Sequence, residues 1–86
     1  MKYRRTAQFK NAYEKLPPEI KEKAFKAFLL FQQNPHHPSW FVKHIRGLSG
    51  VWEGRIDIRY RFTFHYEEDL CVFRNIGPHS ILERNP

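Results

Sequence analysis

The apolar residues of this 86-residue chain change their spacing once, near residue 50, and that switch limits the fold more than any other feature. Before it, Phe9, Ala12, Tyr13 and Leu16 fall at i, i+3, i+4 and i+7, one face of a short helix. Thr6 stands at the N-cap position, and Pro17-Pro18 ends that helix and opens the next. Ile20, Ala24, Ala27, Phe28 and Phe31 repeat the pattern, with Lys21, Lys23 and Lys26 outside and Asn34-Pro35 closing it. The spacing predicts helices over 7–16 and 18–33, joined as a hairpin, with a short strand over 2–5 ahead of them. After the switch the period is two. Trp52, Gly54, Ile56 and Ile58 alternate with Val51, Glu53, Arg55 and Asp57; Tyr60, Phe62, Phe64 and Tyr66 alternate with Arg59, Arg61, Thr63 and His65. Glu67-Glu68-Asp69 turns the chain into a third strand over 70–76, and the 39–50 connector has room for a brief extended piece.

Helices followed by strands predict an α+β fold, one domain over 1–86, with two N-terminal helices packed on one face of a small antiparallel-rich sheet. The helix stripes should meet the Trp52, Ile56, Phe62 and Phe64 side, which makes Trp52 a core residue in this reading. In the 60–76 hairpin one register turns Arg74 to the core and the other turns Phe73 there; a β-bulge reconciles the two. The longest apolar run, 27–31, is far below the ~20 residues of a membrane span. No apolar stretch follows the N-terminal charges, so no secretory signal is expected. A single cysteine, Cys71, leaves the fold to stand on packing, which suits a reducing cytoplasm, and its mid-strand place reads as core.

The net charge of +6 points to a polyanionic partner. Residues 1–38 carry eight basic residues, six of them Lys, against three acids; residues 39–86 carry seven, six of them Arg, against six acids. Lysine on a helix is a solvated face, whereas arginine on a strand presents a rigid fork suited to phosphate. Strand parity puts Arg55 and Arg61 on one face, and in the tightest register, with Ile56 opposite Tyr60, they pair directly. Opposed like charges cost a few tenths to ~1 kcal/mol. Either an anion sits between them, or Glu53 and Asp57 neutralise them on a solvated face.

Five histidines raise the question of a metal, but His36-His37 are adjacent and no Cys-x-x-Cys or His-x-x-x-His pair exists, so no metal or other cofactor is expected. Glycine-rich phosphate loops and Ser-His-acid spacings are absent too. His36 and His37 read as loop residues and His65 as facing solvent. Lys, Arg and His without a metal suffice to cleave RNA. The 2′-hydroxyl attacks the adjacent phosphate, a base takes its proton, an acid protonates the leaving 5′-oxygen, and cations hold the developing charge. Histidine, titrating near neutrality, serves as acid or base, and arginine as clamp. The tail Ile76-Gly77-Pro78-His79-Ser80-Ile81-Leu82 supplies such a histidine.

With that tail, the chain resembles the RelE/ParE-type toxins of bacterial type II toxin–antitoxin systems over nearly its whole length. The resemblance runs through Glu14-Lys15-Leu16-Pro17, Asn34-Pro35, Lys43-His44-Ile45-Arg46-Gly47-Leu48, Val51-Trp52-Glu53-Gly54-Arg55-Ile56 and Tyr60-Arg61-Phe62. The Gly-x-His-Ser-x-Leu ending looks most like the YafQ branch. The resemblance implies a metal-independent, ribosome-dependent endoribonuclease of the cytoplasm that cuts messenger RNA. It implies His79 as the catalytic histidine, with Arg61 and Arg55 as its charge-stabilising partners. Lys43, His44 and Arg46 match the basic segment that contacts RNA, and Arg59 and Tyr60 match further RNA-contacting positions, Tyr60 by stacking. The implied partners are a cognate antitoxin, mRNA and the 70S ribosome, with operator DNA reached only through the antitoxin and no membrane. The tail departs from the pattern in carrying Ile81 and Leu82 where the typical relative has an aromatic. Two alternatives are a ParE-like toxin that inhibits DNA gyrase and an inactive homologue that binds only antitoxin or DNA; the Arg61 and His79 pair favours the enzyme.

Overall fold

In the computed structural model, which describes residues 2–34 and 36–86, Thr6 starts the first helix as its side chain predicts. Its Oγ1 accepts the Phe9 N–H at 3.1 Å, and helix α1 runs Ala7–Glu14. The helix closes two residues before the expected end because Lys15 and Leu16 donate back to the Ala12 and Tyr13 carbonyls, at 3.2 and 3.1 Å, in a tightened last turn. Helix α2 spans Pro18–Gln33, the predicted range; Pro35, assigned to its end, lies outside the described residues. Strand β1 is Lys2–Arg5. The connector holds a 3₁₀ turn, Pro38–Trp40, and the two-residue strand β2, Lys43–His44. Then come β3 (Val51–Arg55), β4 (Tyr60–Glu67), β5 (Leu70–Pro78) and a short helix α3 (Ile81–Arg84).

The strands form one sheet in the order β1-β5-β4-β3-β2, antiparallel except for β1, which runs parallel to β5. Phe9, Ile20 and Phe31 from the helices, and Leu16 from the link between them, bury against Phe62, Phe64, Phe73 and Ile76 of the sheet, with Trp52, Ile56 and Tyr60 packed at the margin. Phe31 is the hub, meeting Phe62, Phe64 and Phe73 edge-on at centroid distances of 5.3, 5.3 and 5.9 Å. The helices therefore lie on the predicted side of the sheet. Among the described residues no helix is long and apolar enough to cross a membrane. Cys71 is fully buried, and that burial pushes its thiol up to about 11, which leaves it an unreactive core residue.

Gly54 pairs with Phe62, whose ring occupies the space a Cβ at residue 54 would need. Gly54→Ala should therefore displace the ring at the centre of the core and cost about 1–3 kcal/mol. A urea midpoint unchanged from wild type would contradict this packing.

The hairpin between β3 and β4 is tighter than a strand over 51–58 implies. Asp57 Oδ1 accepts the backbone N–H groups of Arg59 and Tyr60, both at 2.9 Å, and Lys23 Nζ approaches Oδ2 at 3.4 Å. Burial raises the carboxyl's pKa, but the two backbone donors and Lys23 together outweigh it and hold the group below the usual carboxylate range. A lowered folded-state value contributes stability that is fully present above the unfolded value and is lost as pH falls through the folded one. Asp57→Ala should thus cost about 1.5 kcal/mol at neutral pH, and the gap to wild type should shrink in acid. Denaturation of both proteins at neutral and acid pH checks this; a gap that does not move with pH would exclude the carboxylate as its source.

The register question in β4–β5 is answered by a bulge. Thr63 pairs with Asn75 but Phe64 pairs with Phe73, so Arg74 is the extra residue and parity resets across it. Phe73 reaches the core, while Asn75 and Gly77 face the opposite side with Thr63 and Arg61.

Candidate nucleic-acid interface

The face away from the helices is built by alternation along three strands. Lys43 pairs with Glu53, Glu53 with Thr63, and Arg55 with Arg61, all on one side. The directly opposed arginines are the pairing read from the sequence. The two guanidinium groups have different partners. Arg61 Nη1 donates to the carbonyls of Asp57, Ile58 and Tyr60 at 2.7, 3.1 and 3.2 Å, while Arg55 Cζ lies 4.3 Å from the centre of the Phe41 ring. Burial, and after it the charge of Arg55, lower the pKa of Arg61, and Glu53 and Asp57 oppose that shift. Among the described residues neither arginine has an ion pair within 4.0 Å; the two acids act on Arg61 through space, and the Asp57 carboxylate is occupied by its turn.

This face is less open than a bare sheet. Glu53, Arg61, Thr63 and Asn75 are all nine-tenths buried. The chain folds back after β5: Ile81 packs against Gly77, the Asn85 carbonyl accepts from Asn75 Nδ2 at 2.7 Å and Gln8 Nε2 at 3.1 Å, and Arg74 Nε donates to the Pro86 carbonyl at 3.2 Å. Two grooves remain. One, of about 620 Å³, is lined by Arg46, Glu53, His79, Glu83 and Arg84 among others. A smaller one, of about 270 Å³, is lined by Phe41, Val42, Lys43, Glu53, Arg55 and Arg61. Glu53 belongs to both and stands between the histidine and the arginines.

The residues singled out from the sequence divide accordingly. Arg55, Arg61 and Lys43 share one groove, and His79 and Arg46 share the other. The His79 backbone N–H is fixed to the Arg59 carbonyl at 3.0 Å, and its side chain is exposed. Arg59 is exposed in the turn. His44 and Tyr60 are not brought to this site. His44 pairs with Trp52 and stacks on it at 3.5 Å between ring centres, and Tyr60 packs against the core beside Ala12, Lys15 and Leu16 on the helix side. His65 does not face solvent freely: Arg74 Nη1 donates to its Nδ1 at 2.9 Å, which leaves Nε2–H for Glu67 at 3.0 Å. Sequence reasoning missed Phe41 and undervalued Glu53. Parity carried a signal for Glu53, which shares the face of Arg55, but Phe41 lies in a connector without a period.

Chemically, the arrangement gathers cationic donors with unspent capacity. Arg61 uses Nη1 for all its bonds, and Arg55 Nε is buried with no acceptor among the described residues. No group of three or more metal-ligating side chains occurs among the described residues. No protein-family model and no curated protein matches the sequence. Solved structures do. A YoeB/ParE toxin from Agrobacterium tumefaciens superposes with a TM-score of 0.74 at 19% identity, covering 92% of this chain and 99% of that one. The fold is that of the RelE/ParE toxins. YafQ from E. coli strain BL21(DE3) gives a TM-score of 0.76 at 14% identity, over 93% of this chain and 94% of that one. The toxin–antitoxin complex RelBE2 from Mycobacterium tuberculosis gives 0.72 at 22% identity, over 91% and 96%. The two helices, the antiparallel β3–β5 meander and the parallel β1 edge are thus a toxin-type scaffold with its own side chains on the face opposite the helices.

Proposed function

We propose that this chain is the toxin of a toxin–antitoxin pair and acts as a metal-independent endoribonuclease on ribosome-bound mRNA. The observation that carries the reading is the opposed Arg55–Arg61 pair, whose unspent N–H groups line a groove that meets the His79 groove at Glu53. RNA lies across both grooves with a phosphate at the arginines. Its 2′-oxygen attacks phosphorus as the 2′-proton passes to a base; the P–O5′ bond breaks, and an acid protonates the 5′-oxygen. His79 is the proton carrier, exposed and held by its backbone to Arg59, in the turn that leads into β4. Arg61 and Arg55 stabilise the charge that grows on the phosphate oxygens. Lys43 and Arg46, one in each groove, bind flanking phosphates, and Arg59 adds a further cation at the turn. Support for an antitoxin partner comes from the toxin–antitoxin complex among the structural neighbours and from the +6 charge, which favours an acidic segment.

Induced expression in a bacterial host tests the reading. Protein synthesis should stop, with shortened mRNAs, while plasmid supercoiling stays normal. Arrest with intact mRNA and relaxed plasmids would transfer the case to gyrase inhibition.

A further inference from the structure

We propose that the groove under Phe41 is a nucleobase subsite that stacks a base on the Phe41 ring and reads guanine through Glu53; this deepens, and rests on, the RNA-cleaving reading. Phe41 is 57% exposed although it follows Trp40, which is 7% exposed and anchored by its Nε1 to the Asn34 carbonyl at 2.9 Å. The chain leaves that anchor with Phe41 at φ +50°, in the left-handed region that favours glycine or asparagine. A turn alone needs no aromatic there, and the strain is of a kind that collects at functional sites. The ring has Arg55 against it at 4.3 Å and more than half of its surface open. Beside it, Glu53 is 7% exposed as a residue, and its carboxylate oxygens, which have no hydrogen-bond partner among the described residues, are not among the buried atoms and open to the groove. Arg55 Nε, by contrast, is buried without a partner among the described residues.

The groove therefore offers a π-face, an unpartnered carboxylate and cations from Lys43, Arg55 and Arg61 within about 270 Å³. An unstacked RNA base is bound by such parts: the aromatic takes its face, the cations its flanking phosphates, and the acceptor its Watson–Crick edge. Guanine presents N1–H and N2–H side by side and fits both carboxylate oxygens. Uracil presents one N–H between two carbonyl oxygens, which a carboxylate repels. An acidic peptide is the poorer occupant, because Glu53 in the floor repels its side chains.

Binding of 2′-O-methylated pentanucleotides, which the enzyme cannot cleave, tests this apart from catalysis. Wild type should bind UUGUU ~10-fold more tightly than UUUUU, the range of one good bidentate contact. Phe41→Leu should weaken both by ~10-fold, and Phe41→Tyr should restore them. Glu53→Gln should remove the preference, weakening UUGUU and strengthening UUUUU, because the charge that repelled uracil is gone. Phe41→Gly should bind more weakly yet melt higher than wild type, since glycine relieves the positive φ; this arm and Phe41→Leu carry the test if Glu53→Gln fails to fold. Equal binding of the two oligonucleotides by wild type, unweakened binding by Phe41→Leu, or binding of a glutamate-rich peptide in place of RNA would overturn the subsite. Wild type that shows the full pattern but cuts no mRNA overturns the enzyme reading and leaves the subsite standing. Cut positions identical in wild type, Phe41→Leu and Glu53→Gln overturn the subsite and leave the enzyme reading.

Discussion

His79→Ala is expected to lower the rate of mRNA cleavage by ~10²–10⁴-fold, the usual contribution of a positioned proton carrier, with the fold intact. The second half of that expectation follows from where the residue sits. Its backbone N–H is bonded to the Arg59 carbonyl at 3.0 Å, a link the substitution keeps, and its side chain is exposed at the groove and buries nothing. Activity and stability should therefore separate. Single-turnover cleavage rates and urea denaturation of the same two proteins make the comparison. A variant that cuts at the wild-type rate would remove His79 from the chemistry, and one that unfolds would make it a structural residue.

Arg61→Ala should behave differently, with both quantities falling. In the transition state the guanidinium is expected to supply about 2.7–4 kcal/mol, as other preorganised charge-stabilising donors do, a loss of ~10²–10³ in rate. The same side chain is 7% exposed and satisfies the Asp57, Ile58 and Tyr60 carbonyls at the β3–β4 turn. Removing it strands the Asp57 and Ile58 carbonyls, while the Tyr60 carbonyl keeps the Ile56 N–H at 3.0 Å, and should cost a further ~1–3 kcal/mol of stability, or roughly 4–8 °C in Tm per kcal/mol for a chain of this size. From the sequence alone Arg61 is a surface residue whose loss leaves folding untouched, and burial revises that expectation. A fully active Arg61→Ala, or an inactive one that melts with wild type, would contradict one of the two roles.

The helices and the sheet were legible because each carries a clean period and a chemical stop: Thr6 at a cap, Pro17-Pro18 between helices, Glu67-Glu68-Asp69 at a turn. The Arg55–Arg61 pairing followed from parity once Ile56 was set opposite Tyr60. The same reasoning stopped at the bulge. Period two fails wherever one strand carries an extra residue, and two registers over 70–76 were equally consistent with the pattern until Arg74 was seen to be that residue. Burial of Glu53 and Asn75 beside the tail was not legible, because the tail's four-residue helix has no repeat to read, and burial of Arg61 follows from its bonds to the 57–60 turn, which parity does not show. His44 and Tyr60 entered the candidate set through the resemblance. Parity had already placed Tyr60 with Ile56 on the helix side, and the structure agrees with parity. Phe41 could be found only in three dimensions, since its exposure depends on Trp40 plugging the core one residue earlier.

Cleavage on programmed ribosomes tests the central claim most directly. Purified ribosomes carrying a defined mRNA are mixed with the protein in the presence of a chelator strong enough for transition metals, and the ends of the products are mapped and chemically typed. Attack by the 2′-oxygen predicts cuts confined to the ribosome-bound codon, with a 2′,3′-cyclic phosphate on one fragment, a 5′-hydroxyl on the other, and none of either with His79→Ala. Intact mRNA under these conditions, from wild-type protein that arrests growth and blocks gyrase supercoiling, would contradict the account.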